Sequence, residues 1–184
     1  MTLYTRLLGM ALAFAGSITY PIPSHADPVP GQSPVVPAAA ATLPLYRLYQ
    51  AGVGDHFYTT DQSEEQAFAR PGYYSLEGVI GGSPAAGPGT APVYRLYNPA
   101  DGDHFYTVSQ AEAQAAAANA GYTPQETAFQ VYTQAGAGLL PLYRLFSPVY
   151  GHHFYTTSRA EHDGLVKSGA WGDEGVTGYL GAGQ

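Results

Sequence analysis

The sequence predicts a mainly β fold with one short helix per repeat. Its three repeats are expected to close in a pseudo-threefold arrangement, either β-trefoil-like or like a three-bladed propeller. Three observations carry this expectation. Pro44, Pro92 and Pro141 open three similar segments at steps of 48 and 49 residues, and internal periodicity of this length marks a repeat architecture. Each segment alone is close to the size, about 40 residues, below which a chain needs extra staples to bury a core. An open stack would need distinct polar caps at its ends, and the first segment begins much as the third does, LPLYRL in both.

Residues 1–26 read as a signal peptide. Arg6 supplies the positive start, Leu7 to Ile18 a short apolar run, and Ser24-His25-Ala26 a small-x-small cleavage site, while the apolar run is too short to span a bilayer core of about 30 Å. No second membrane segment is expected after its removal, so the reading is secreted or extracellular, with cell-wall association consistent with it. Residues 27–42, rich in Pro and Ala, read as an extended linker. The three-repeat domain then occupies 43–184, divided as 43–90, 91–139 and 140–184.

Within each repeat the elements follow in order. Pro44-Leu45-Tyr46-Arg47-Leu48-Tyr49 is aromatic-rich and reads as a first strand, and Asp55-His56-Phe57-Tyr58-Thr59 as its hairpin partner. The turn between them is clearest in the second repeat, as Asn98-Pro99-Ala100-Asp101-Gly102. Alternation places Arg47 with Tyr49, and His56 with Tyr58, opposite Leu48 and Phe57, and the Leu48 and Phe57 faces are the expected core. A helix follows. Asp61, Ser109 and Ser158 stand three residues before Glu64, Glu112 and Glu161, the spacing of a capping box, which assigns these glutamates to the helix start. Gly72, Gly121 and Gly169 are the expected stops. A third strand runs through Glu77-Gly78-Val79-Ile80 and its counterparts from Glu126 and Glu174.

Composition excludes several function classes. The net charge of −7 and a single lysine, Lys167, leave no basic stripe to neutralise phosphates, so no nucleic-acid partner is expected, and anionic lipid is disfavoured. The chain has no cysteine, which removes thiol chemistry and thiolate metal sites. Charged residues make up 11% of the chain, against a usual figure of about 25%. Polar character therefore falls to other residues, among them sixteen tyrosines, a residue suited to interiors and recognition surfaces alike.

The Tyr-Arg-Leu-Tyr, Gly-Asp-His-Phe-Tyr-Thr, Ser-x-x-Glu and Glu-Gly-Val motifs, in that order from Leu43 onward, resemble a family of unknown function. That family occurs in secreted bacterial and fungal proteins, where its repeats are appended to cell-wall hydrolases, peptidases and other extracellular enzymes. The resemblance implies an extracellular accessory module that holds polysaccharide or peptidoglycan, and it supplies no catalytic residues. The third repeat departs from the motif at His152, where the pattern has Asp, and the second at Thr127, where it has Gly. Identical sites in every repeat would be altered at those two positions.

One constellation recurs in every repeat: Arg47, His56 and Glu77; Arg95, His104 and Glu126; Arg144, His153 and Glu174. A buried charge needs a partner, so a structural Arg–Glu pair within each unit is the plainest reading. The functional reading is a shallow pocket per repeat, with these polar groups holding hydroxyls and the rings of Tyr49 and Tyr58, Tyr97 and Tyr106, and Tyr155 stacking on sugar faces. A sharper alternative gathers His56, His104 and His153 on a threefold axis around zinc. It needs a convergence that spacing alone does not supply, and no metal or other cofactor is assigned. Glycosidase chemistry by paired carboxylates is disfavoured, because the glutamates recur in every repeat whereas an active site is unique. No nucleophile elbow, His-Glu-x-x-His helix or phosphate-cradling loop is present. The expectation is a non-catalytic binding module for extracellular carbohydrate. The alternatives are a structural or protein-interaction scaffold and, further off, an extracellular hydrolase.

Overall fold

A computed structural model describes residues 42–183. The expected signal peptide and nearly all of the expected linker lie outside the described residues. Among the described residues the fold is mainly β, with three helices and nine strands, and the order strand–strand–helix–strand occurs three times. The first run is β1 (Leu43–Gln50), β2 (Asp55–Thr59), α1 (Gln62–Phe68) and β3 (Ser75–Ser83). The second is β4 (Thr90–Asn98), β5 (Asp103–Thr107), α2 (Gln110–Asn119) and β6 (Thr123–Tyr132). The third is β7 (Leu139–Ser147), β8 (His152–Thr156), α3 (Arg159–Lys167) and β9 (Gly172–Gly181).

In each run the first strand is central, with the hairpin partner on one side and the third strand on the other, all antiparallel. The hairpins share one register, as in Arg47 opposite Tyr58, Arg95 opposite Tyr106 and Arg144 opposite Tyr155. The three ribbons join through their third strands. Gly82 of β3 pairs with Gly181 of β9, and Tyr179 of β9 pairs with Tyr132 of β6. The result is one antiparallel sheet with an open hydrogen-bonding path from β2 to β5, branched at β9 toward β7 and β8. Ser83 links β3 to β6 directly, its Oγ donating to the Gln130 carbonyl at 2.9 Å and accepting from the Gln130 N–H at 3.0 Å.

Both strand faces are buried, which corrects the expected placement of the core on the Leu48 and Phe57 faces alone. Leu45, Val93, Leu142, Phe129, Val131 and Leu180 pack with Tyr58, Tyr106 and Tyr155 in one central cluster. Leu48, Phe57 and Tyr74 form a second cluster beneath α1, with Phe57 stacked on Phe68 at 4.4 Å. A five-residue strand crowded by neighbours on both sides has no solvent face to give to its alternate residues.

The three inner tyrosines are bound in a cycle. The Tyr58 hydroxyl donates to the Tyr155 carbonyl at 2.8 Å, the Tyr155 hydroxyl to that of Tyr106 at 2.6 Å, and the Tyr106 hydroxyl to that of Tyr58 at 3.2 Å. Each hydroxyl also accepts the backbone N–H of its partner, at 2.8–2.9 Å. The rings meet edge to face at 5.3–5.5 Å. A buried hydroxyl must be paired, and here every oxygen serves as donor and acceptor at once.

The helix starts hold as expected on one side only. Asp61, Ser109 and Ser158 accept the N–H of Glu64, Glu112 and Glu161 at 3.1–3.2 Å. The reciprocal half of the capping box is absent. Thr59, Thr107 and Thr156 accept the N–H of each cap residue at 3.0 Å, which frees the glutamates for other partners. At the far ends, Gly121 and Gly169 follow the last residues of their helices in the left-handed region. Gly72 does not do so, because α1 stops at Phe68; Pro71 disfavours helical backbone at Arg70.

Candidate functional site

The guanidinium groups of Arg47, Arg95 and Arg144 expose 14, 5 and 16% of their side-chain surface. The expected Arg–Glu pair within each unit is present: Arg47 Nε lies 2.7 Å from Glu77, Arg95 Nη2 2.8 Å from Glu126 and Arg144 Nε 3.0 Å from Glu174. The second carboxylate comes from the helix of a different unit. Arg47 holds Glu161 at 2.9 and 3.3 Å, Arg95 holds Glu64 at 3.0 and 2.8 Å, and Arg144 holds Glu112 at 3.0 and 3.0 Å. These two-pronged bonds match the fork of arginine to a carboxylate. They also correct the assignment of the three glutamates to their own helix starts.

Threonines support the same carboxylates: Thr107 donates to Glu112, and Thr156 to Glu161 at 2.5 Å. Burial raises both acids, yet these bonds and the paired arginine outweigh it and hold each carboxyl below its ordinary range. Each guanidinium also lies over a phenylalanine of the unit that supplies its helix glutamate. Arg47 is 5.1 Å from Phe154, Arg95 4.7 Å from Phe57 and Arg144 5.4 Å from Phe105. The arginines are therefore clamps between units.

The second unit shows what the Thr127 departure does. The departure is one of register: Thr127 pairs with Tyr94 as Val79 pairs with Tyr46 and Val176 with Tyr143, so Glu126 takes the place beside the arginine that Gly78 and Gly175 hold in the other units. In the second unit Glu126 is 73% exposed, against 32% for Glu77 and Glu174. It reaches only Nη2 of the guanidinium, whereas Glu77 and Glu174 lie beside Nε of their arginines at 2.7 and 3.0 Å.

The histidines also bind across units. His104 Nδ1 is 2.6 Å from Asp55, and His153 Nδ1 is 2.6 Å from Asp103. Each aspartate also accepts the histidine N–H, at 3.0 and 2.7 Å, and a tyrosine hydroxyl, from Tyr74 at 2.5 Å and Tyr122 at 2.6 Å. Burial raises Asp103, but the bonds from His153 and Tyr122 more than reverse it. His56 has no such partner, since His152 stands at the aspartate position. Burial and the nearby Arg47 push the His56 imidazole down to about 4, against opposition from Asp55 and Glu161. The His56 ring packs on Tyr49 at 4.7 Å, its Nε2 3.6 Å from Glu77. The three histidines are thus placed in three separate settings, and no cluster of three metal-ligating side chains exists among the described residues.

Tyr58, Tyr106 and Tyr155 are 1, 0 and 1% exposed, so the expected role as pocket walls gives way to the interior cycle. Tyr49 and Tyr97 do lie nearer the surface, Tyr97 packed on His104 at 4.6 Å. Tyr49 is the common wall of two concavities. One, of about 550 Å³, runs along the end of α1 past Arg70, Tyr73 and Leu76. The other, of about 290 Å³, lies between His56, Glu77, Tyr150 and Trp171. Tyr73, Tyr150 and Trp171 were not among the expected site residues. They lie outside the shared motif, and their only sequence signal is that they break the threefold pattern.

No curated protein and no solved structure matches the chain. A family model does match, over residues 36–181, a span that takes in every strand, helix and clamp described above. The chain belongs to the family described as a domain of unknown function, DUF5648.

Proposed function

We propose that this chain is a secreted, non-catalytic binding module for cell-wall or other extracellular carbohydrate, carried by three units closed about a pseudo-threefold axis. The tyrosine cycle and the repeated Arg–Glu clamps support the closed arrangement, because each unit gives to one neighbour what it takes from the other. The recurrent Arg, His and Glu groups are largely consumed in holding units together, which favours a scaffold role for them over a site in each repeat.

The observation that carries the binding reading is the ring of Tyr49 shared by two adjacent concavities, with Tyr73 and Tyr150 at their rims, 40 and 60% exposed. Exposed aromatic rings beside a few polar groups are what a saccharide needs, with C–H faces stacked and hydroxyls hydrogen-bonded. The competing reading is a protein-interaction scaffold, favoured by Val53, Val149 and Tyr150 at exposed hairpin tips.

Co-sedimentation of the purified protein with insoluble peptidoglycan, chitin and cellulose separates the two. The carbohydrate reading expects retention on at least one of them, reduced at least fivefold in Tyr73→Ala or Tyr150→Ala. Failure to sediment with any of them, together with silence on a glycan array, would turn the assignment to the scaffold.

A further inference from the structure

Two junctions carry the same closed set of groups: an aspartate that takes a histidine N–H, the imidazole Nδ1 of that histidine and a tyrosine hydroxyl. Asp55 does this for His104 and Tyr74, and Asp103 for His153 and Tyr122. At the third junction both supporting members differ. His152 stands where the aspartate would be, and Trp171, which precedes β9 as Tyr74 and Tyr122 precede β3 and β6, stands where the tyrosine would be. His56 keeps the orientation of its counterpart, with Nε2 3.6 Å from Glu77 where His153 Nε2 is 3.7 Å from Glu174. Its Nδ1 is therefore turned toward the missing carboxylate.

The consequence is two orphaned atoms. His56 Nδ1 and His152 Nδ1 are both buried without a hydrogen-bond partner, and His152 as a residue is 3% exposed. His152 Nε2 lies 2.9 Å from the Asp101 carbonyl. A carbonyl only accepts, so it is Nε2 that donates there, and the Asp101 contact leaves Nδ1 without a partner. Buried polar atoms left unpaired are costly and call for an explanation. Beside them opens the cavity of about 290 Å³ lined by Tyr49, His56, Glu77, Tyr150 and Trp171. Gly54 also lines it, and a β-carbon there would come within 3.2 Å of His152 Nδ1.

We infer that this junction, and neither of the other two, is a ligand site that takes one ring of a neutral saccharide. The inference rests on the carbohydrate reading above. The pyranose face packs against Trp171 and Tyr150, and ring hydroxyls supply the partners that the missing aspartate would have supplied to His56, with Glu77 accepting a further hydroxyl. The volume of about 290 Å³ falls just under the range of about 300–1,000 Å³ for small-molecule sites, which suits a single ring. The charges favour a neutral ligand: Glu77 is matched by Arg47 at 2.7 Å, and His56 is held uncharged by its burial.

The chain has a single tryptophan, so emission from Trp171 reports on this cavity alone. The test titrates the purified protein with neutral oligosaccharides of N-acetylglucosamine, glucose and mannose, following emission and heat together. The expected result is a saturable change in Trp171 emission at one equivalent per chain. Binding is at least tenfold weaker in His152→Asp, whose new carboxylate takes up His56 Nδ1, and in Tyr150→Ala, a substitution at an exposed hairpin tip. By NMR, the His56 titration midpoint rises in His152→Asp as it gains a carboxylate partner. Three equivalents per chain, or heat of binding without any change in Trp171 emission, would overturn the site and leave the carbohydrate reading standing. Unchanged affinity in both variants would do the same. An absence of binding to every oligosaccharide would overturn both.

Discussion

Tyr58 and Tyr155 hold each other through a single hydroxyl: Tyr58 Oη donates to the Tyr155 carbonyl at 2.8 Å and accepts the Tyr155 N–H at 2.9 Å. The oxygen does for two strands what a sheet ladder would do, at a point where β2 and β8 are not paired as neighbours. Tyr58→Phe keeps the ring and its edge-to-face contacts but leaves a buried N–H and a buried carbonyl unserved. An orphaned buried group costs about 1–3 kcal/mol. Tyr58→Phe is expected to lower the urea midpoint accordingly, with an unchanged slope. Tyr106→Phe and Tyr155→Phe should match it within about 1 kcal/mol, since each removes the same pair of bonds. A large disparity among the three would argue against the closed threefold reading.

The clamp at Arg95 is the most deeply buried of the three. Removing one member of a buried pair leaves the others charged and unpaired, at a cost of about 3–5 kcal/mol when fully enclosed. Glu64 and Glu126 retain some solvent, so Arg95→Ala is expected at the lower end of that range. Arg95→Lys is expected to recover less than half, because an ammonium makes neither the two-pronged bond nor the planar stack on Phe57. Chemical denaturation of the two variants checks both figures. Glu64→Gln should weaken the same clamp without disturbing α1, because the Glu64 backbone N–H, and not its side chain, makes the capping bond with Asp61.

Much of this was legible in the sequence. The three strands and the helix of each unit follow from short motifs that repeat in order, and the cap residues fall where spacing puts them. The partners of Glu64, Glu112 and Glu161 were not legible. Capping is a local pattern, whereas their arginines are 31, 32 and 114 residues away. Nor does alternation say which face of a strand is enclosed when both are. His56 and Tyr58 lie on the side that period-two logic leaves open, yet Tyr58 is at the centre. The departures at His152 and Thr127 were visible, but what each costs depends on a neighbour from a different unit or strand.

Acid should begin to weaken the fold above the range in which the depressed carboxyls of Asp103, Glu112 and Glu161 take up protons. His56 faces Arg47, Glu77 and His152, with Asp55 and Glu161 close enough to act on its charge. Its folded value of about 4 lies below the ordinary 6.5, so between these values the unfolded chain binds the proton and the folded protein does not. Stability from this group is complete above pH 6.5 and is lost as the pH falls toward 4. The His56 share of the loss from pH 7 to pH 5 is about 2 kcal/mol by linkage. Urea unfolding at the two pH values, compared between the natural protein and His56→Gln, isolates that share; equal losses in both would remove the assignment. Below pH 4 the depressed carboxyls of Asp103, Glu112 and Glu161 add a second loss in the same direction.

The joint between β6 and β9 leaves no room for a side chain. Tyr132 and Tyr179 form the pair there, and a β-carbon added to Gly178 would lie 2.4 Å from Val131 Cγ2 and 2.7 Å from Val131 Cβ. Val131 is buried in the central cluster beside Leu180 and Phe129, so it cannot swing away without opening the interior. Gly178→Ala must push β9 off β6, and forced insertion into a packed core costs about 1–3 kcal/mol. The damage should be local to the junction. Hydrogen exchange is expected to rise at Tyr132 and Tyr179 while the β4–β5 hairpin keeps its protection. Val131→Ala in the same chain removes the methyl at 2.4 Å but keeps the β-carbon at 2.7 Å, so the double variant should recover only part of the protection at the junction, and it also loses core volume. If Gly178→Ala alone left exchange at Tyr179 unchanged, the strands would not be in the close approach described.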